Sequence, residues 1–183
     1  MYLESSSRIR TRNSERRTST RVIARKTTAQ ARATRKRGTM KIPFNGGCSC
    51  GAVRYECTAE PIMMLKCHCR DCQQVSGGGF AAAVLVQAEA FRLTRGQLRY
   101  HFTPSIRRGK HKRGFCPECG SRMTGAEFEG DDSQFVGILA ASLDDPSWFQ
   151  PQMDIFVSDA QPWDQMDPAI VKFGQYPPSS AKE

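Results

Sequence analysis

Eight cysteines occur in the 183-residue chain, and seven fall into three tight clusters. They are Cys48-Ser49-Cys50, Cys67-His68-Cys69-Arg70-Asp71-Cys72 and Cys116-Pro117-Glu118-Cys119, the last followed by Gly120. Thiols this close suit a metal better than a disulfide framework, because cysteines two apart strain the backbone when bridged. Seven packing thiols without metal is the weaker reading, and no segment has the apolar core of a signal peptide. Zinc is the default metal for clustered thiolates in a reducing compartment. In the C-x-x-C of Cys116 and Cys119, Pro117 sets one backbone angle of the turn. Gly120 is free to adopt the conformation that turns amide hydrogens toward sulfur.

Ligand arithmetic then predicts two zinc ions with different work. A closed structural site needs four ligands. Cys48 and Cys50 with Cys116 and Cys119 supply them, clamping the start of the domain to its middle. Cys67, Cys69 and Cys72 leave one position free, the layout of a catalytic zinc open to water or to a substrate thiol. Two alternatives stay open. One residue of the first cluster can belong to the second metal, or His68 can close the trio as a fourth ligand. With both neighbours bound, His68 is expected to point away. Cys57 reads as a buried packing thiol, and His101 and His111 as ordinary surface or strand residues.

The elements that must hold these groups are mostly strands. Val53, Tyr55 and Cys57 alternate with Arg54 and Glu56, and Phe80–Val86 is a short apolar run after Gly77-Gly78-Gly79. Strands are also predicted over 98–103, 122–128, 134–140 and 153–157, with one helical turn near 71–75. The basic run Arg107–Arg113 reads as a solvated hairpin edge guarding a sheet. The fold expected is one mainly β domain over 40–176, with a frayed end at 177–183. The longest apolar run is seven residues, far short of the roughly 20 of a membrane span.

The formal net charge of +9 is unevenly placed. Residues 1–39 hold twelve Lys or Arg against two acids, a net +10, and residues 40–183 hold fifteen against sixteen, a net −1. The first segment also holds twelve Ser or Thr and no sustained apolar period. It is expected to be a disordered basic extension. It has the composition of a transit peptide or of a nucleic-acid-binding arm, or it precedes a true start at Met40, the favoured reading. The near-neutral domain itself gives little support to a nucleic-acid role.

At the cysteine clusters the sequence resembles the family of glutathione-dependent formaldehyde-activating enzymes, which also contains centromere protein V. The similarity rests on G-G-C-S-C-G-A-V-R-Y at Gly46–Tyr55, K-C-H-C-R-D-C at Lys66–Cys72, S-G-G-G-F at Ser76–Phe80 and F-C-P-E-C-G-S at Phe115–Ser121. S-L-D-D-P-S-W at Ser142–Trp148 and A-Q-P-W-D at Ala160–Asp164 extend it, so that it spans nearly all of 44–175. The resemblance implies a β-tent-like fold of small sheets. It implies a structural zinc on Cys48, Cys50, Cys116 and Cys119, and a catalytic zinc on Cys67, Cys69 and Cys72. The implied activity is that of a carbon–sulfur lyase acting on S-hydroxymethylglutathione, with glutathione and formaldehyde as partners in the cytoplasm. Lys66 and Arg70, which flank the ligands, and the backbone amides of Gly77, Gly78 and Gly79 are the candidate contacts for anionic glutathione. Trp148 and Trp163 read as core or lid packing. A zinc domain that carries a thiol adduct without turning it over is the competing function, and a nucleic-acid-associated zinc protein using the basic tail a more distant one.

Overall fold

The computed structural model describes residues 37–106, 109–130 and 133–178. The expected disorder of the extension and the fraying of the last residues fall, for 1–36 and 179–183, outside the described residues. Met40, the first residue of the expected domain, packs on the core, and Gly38 just before it donates its N–H to the Ser147 carbonyl (3.4 Å). Among the described residues no helix is long and apolar enough to cross a membrane.

The described chain is mainly β, as expected, with eleven strands and one short α-helix. A three-stranded antiparallel sheet has the order β1 (Phe44–Gly47), β2 (Arg54–Cys57), β5 (Phe91–Arg95). A larger sheet begins with β11 (Val171–Phe173), β10 (Met153–Ile155), β3 (Met63–Cys67) and β4 (Ala81–Gln87). It continues with β9 (Phe135–Leu139), β8 (Arg122–Phe128), β7 (Lys110–Phe115) and β6 (Arg99–Pro104). The helix α1 spans Arg70–Ser76 and ends on Gly77 in the left-handed conformation (φ 69°), whose N–H caps the Gln73 carbonyl.

Strand alternation gives the large sheet two apolar faces. On β4, Val84 and Val86 are fully buried in the main core with Tyr55, Met123, Ile138 and Trp148, and the Phe44 and Trp148 rings meet edge to face at 5.2 Å. The intervening Ala81, Ala83 and Leu85 face the other way, toward Leu65 and Ile155. A run apolar at both phases is what a strand covered on both sides requires.

Six expected strands correspond to β2, β4, β6, β8, β9 and β10 within a residue or two. The basic run is corrected. β7 is hydrogen-bonded to β6 on one side and β8 on the other, so β6 is the edge. Within β7, Arg113 is buried, its Nε donating to Thr103 Oγ1 at 2.9 Å. Arg107 and Arg108 lie outside the described residues.

Candidate metal centres and an adjoining cleft

Cys48 and Cys50 lie just after β1, and Cys116 and Cys119 on the turn between β7 and β8. The four sulfurs lie within 4.8 Å of one another, with Cys48 to Cys50 at 3.5 Å and Cys50 to Cys116 at 3.8 Å. Tetrahedral zinc at about 2.3 Å from each sulfur holds thiolates roughly 3.8 Å apart. The donors and their spacing therefore fit the ion. The Val53 amide donates to Cys48 Sγ (3.2 Å), and Gly120 N–H closes the knuckle on the Cys116 carbonyl (2.9 Å). Hydrogen bonds from the Ser121 and Ser49 hydroxyls hold the Cys119 thiol down at about 5. All eight cysteines are free thiols.

The second cluster is built at a strand-to-helix junction. Cys67 ends β3, Cys69 is the N-cap of α1 and Cys72 lies one turn on, so the i, i+3 spacing sets Cys69 and Cys72 on one side. These three sulfurs also lie within 4.8 Å of one another, Cys67 to Cys69 at 3.5 Å. The thiols of Cys67 and Cys72 hold the Cys69 thiol far below its usual range, while Cys67 is pushed far up by Cys69 and Cys72. Buried Gln73 braces the loop, its Nε2 donating to the carbonyls of His68 (2.6 Å) and Asp159 (2.9 Å).

His68 is fully buried and turned away from the sulfurs. Its Nδ1 meets Asp164 Oδ2 at 2.7 Å, and its Nε2 lies 3.4 Å from Asp154 Oδ1. It is not a ligand of the Cys67, Cys69 and Cys72 trio: Nδ1 is taken by Asp164, and Nε2 is directed to the Asp154 side without a hydrogen bond. Lys66 behaves in the same way. Strand alternation sends it to the face of β3 opposite Cys67, where its Nζ pairs with Asp154 at 3.1 Å and lies 5.0 Å from the Phe80 ring centroid. The expectation of Lys66 as a substrate-facing cation therefore meets a buried ion pair instead.

Arg70 is exposed, and its Nη1 donates to Gln73 Oε1. It lines, with Cys67, Cys69 and Cys72, a cleft of about 460 Å³ on the second face of the large sheet. Gly77, Gly78 and Gly79 do not line that cleft. Gly77 caps α1, and Gly78 N–H is bonded to Ser76 Oγ (3.2 Å). Gly79 packs under the Asp164 carboxylate, which a Cβ would approach to 2.9 Å. Trp148 is in the core, whereas Trp163 is 66% exposed above Gly79.

Four further residues at the site escape sequence reasoning. Asp154 interrupts an apolar strand, a signal for a buried partnered acid, and Asp164 belongs to the quoted A-Q-P-W-D. Arg113 reaches Asp71 at 3.8 Å at the thiol end of the cleft. His111, which also lines the cleft, stacks on Phe128 at 4.7 Å and lies 3.4 Å from Tyr176 Oη. Burial and Arg113 lower its pKa. Nothing in a run of six basic letters separates these two from their solvated neighbours.

The fold and the two thiol clusters define a mainly β protein with one closed and one open set of candidate metal ligands. The family description "glutathione-dependent formaldehyde-activating enzyme" matches residues 43–159, and the chain belongs to that family. A crystal structure of a Rhodobacter sphaeroides protein is similar at 20% identity and a TM-score of 0.44, over 70% of this chain and 98% of that one. No curated protein matches the chain.

Proposed function

We propose that the protein is a zinc-dependent carbon–sulfur lyase acting on thiol–aldehyde adducts, with S-hydroxymethylglutathione as the family's namesake substrate. Cys48, Cys50, Cys116 and Cys119 would hold a structural zinc, and Cys67, Cys69 and Cys72 a catalytic one. The observation that carries this reading is the contrast between the clusters: four thiols close one site, while the trio has three and opens onto a cleft. A bound zinc would supply charge that lowers the pKa of a thiol presented to the open position.

The chain's own residues do the rest. Arg70 and Arg113 stand at the thiol end of the cleft, where they orient a carboxylate of the thiol substrate. The apolar walls exclude water from the adduct carbon. Gln73, His68 and the two aspartates fix the loop that carries Cys67 and Cys69, so the thiols are held in place before substrate arrives. The free thiols favour a reducing compartment, and we place the protein in the cytoplasm.

The test is metal quantification combined with exchange of S-hydroxymethylglutathione above its spontaneous rate. Cys69→Ser is expected to lose one of two zinc ions per chain and the turnover while staying folded, and Cys119→Ser to destabilise the fold. Full activity and both metals in Cys69→Ser would refute the partition. Two zinc ions with no turnover would favour the carrier function.

A further inference from the structure

The cleft is much larger than a one-carbon unit and its lining is of the wrong chemistry for a peptide. Leu65, Ala83, Leu85, Phe128, Leu139 and Ile155 form its walls, from β3, β4, β8, β9 and β10. Its volume is about 460 Å³. A water-sized group occupies roughly 30 Å³, and the carbon and oxygen of formaldehyde are little more than that. Glutathione brings two carboxylates, an ammonium and two amides, and setting these against apolar walls would strip their hydration without return.

Much of the lining is apolar, and its polar members include Arg70, Asp71, Ser105, His111, Arg113 and Asp159. Arg113, held by Asp71 and Thr103 and close enough to Cys69 to act on its charge, marks the thiol end. Away from that end the apolar lining reaches the surface, where Ile106 is 68% exposed and Phe135 41%. Large apolar side chains left open beside a reactive centre mark a ligand groove. The hollow comes from small residues. Ala81 and Ala83 lie where β4 would otherwise fill the space, and on β9 Gly137 approaches β8 so closely that a Cβ would sit 2.7 Å from the Gly125 carbonyl.

We infer that this cleft binds the aliphatic substituent of a thiol adduct, the charged thiol portion resting at the Arg70 and Arg113 end. This deepens the lyase reading and rests on it for the reaction. The adduct is then the hemithioacetal of a medium-chain alkyl aldehyde. Forming it, the thiol sulfur adds to the carbonyl carbon, the π pair of the C=O bond moves to oxygen, and the thiol proton ends on that oxygen. The reverse breaks the same carbon–sulfur bond, and neither direction needs an oxidant or reductant. The balance is identical for every aldehyde, so chain preference belongs to the cleft.

Unreactive thioethers test the cleft apart from the chemistry. S-methyl-, S-butyl-, S-hexyl- and S-octylglutathione are titrated calorimetrically into the full-length zinc-loaded protein. Affinity is expected to rise up to about fourfold per methylene buried and then level off. Ala83→Phe, which fills the hollow, and Leu85→Asn, which wets it, should both flatten the series, with thermal unfolding confirming that each is folded. A flat series in the parent overturns the inference, as does a dimer that buries this face and is unaffected by S-octylglutathione. A rising series with no turnover of any adduct upholds the cleft and refutes the lyase. Turnover of S-hydroxymethylglutathione with a flat series does the opposite.

Discussion

Replacing Lys66 by Met separates two roles for this residue. Its side chain is 11% exposed and its Nζ lies 3.1 Å from Asp154 Oδ1, in a side chain wholly out of solvent. At an effective dielectric of 20 the gross attraction over that distance is about 5 kcal/mol. Much of it offsets the desolvation of the two charges. Removing the cation alone leaves Asp154 beside His68, with Asp164 close behind, which for a buried pair costs about 3–5 kcal/mol. For a domain of about 140 residues each kcal/mol lowers Tm by roughly 3 °C, so Lys66→Met should melt about 10–15 °C lower. Lys66→Met combined with Asp154→Asn removes both charges and should recover part of the loss. Urea unfolding of the parent, Lys66→Met, Asp154→Asn and the double variant completes the cycle. If Lys66→Met unfolds within about 1 kcal/mol of the parent but weakens glutathione binding, the buried-pair argument is wrong and Lys66 is a substrate ligand.

Tyr55 donates to or accepts from Ser142 Oγ at 2.9 Å in the main core, and Ser142 also bonds the Leu139 carbonyl. Tyr55→Phe should therefore lose only about 1 kcal/mol, read as a lower urea midpoint with unchanged slope. Burial pushes the Glu127 carboxyl up, against the opposing pull of Lys112. An acid raised on folding binds more protons in the native state between its unfolded and folded values, so its contribution to stability falls as pH rises through that window. Glu127→Gln should gain stability relative to the parent as pH rises from the ordinary carboxylate range, and a gain that shrinks with rising pH would contradict this sign.

The chain's letters carry the chemistry of the site further than its shape. Spacing and the ligand number of tetrahedral zinc favour a four-thiol and a three-thiol set, but the pairing of Cys48 and Cys50 with Cys116 and Cys119 is decided by the tertiary structure that brings them together. The six strands with clean alternation or apolar runs are legible for a local reason. β3 and β7 are not. Met-Met-Leu-Lys-Cys hides its alternation because Lys66 is buried on the polar phase, and Lys-His-Lys-Arg-Gly-Phe looks solvated although its neighbours β6 and β8 enclose it. Whether a lysine beside a cysteine faces substrate or core depends on which side of β3 it occupies and on finding Asp154, 88 positions away along the chain, opposite it in the parallel pairing. The cleft likewise exists only once β3, β4, β9 and β10 lie side by side and their second faces add up to one apolar surface. Long-range pairing decides those features because burial and charge compensation are shared between distant segments, and no segment holds them alone.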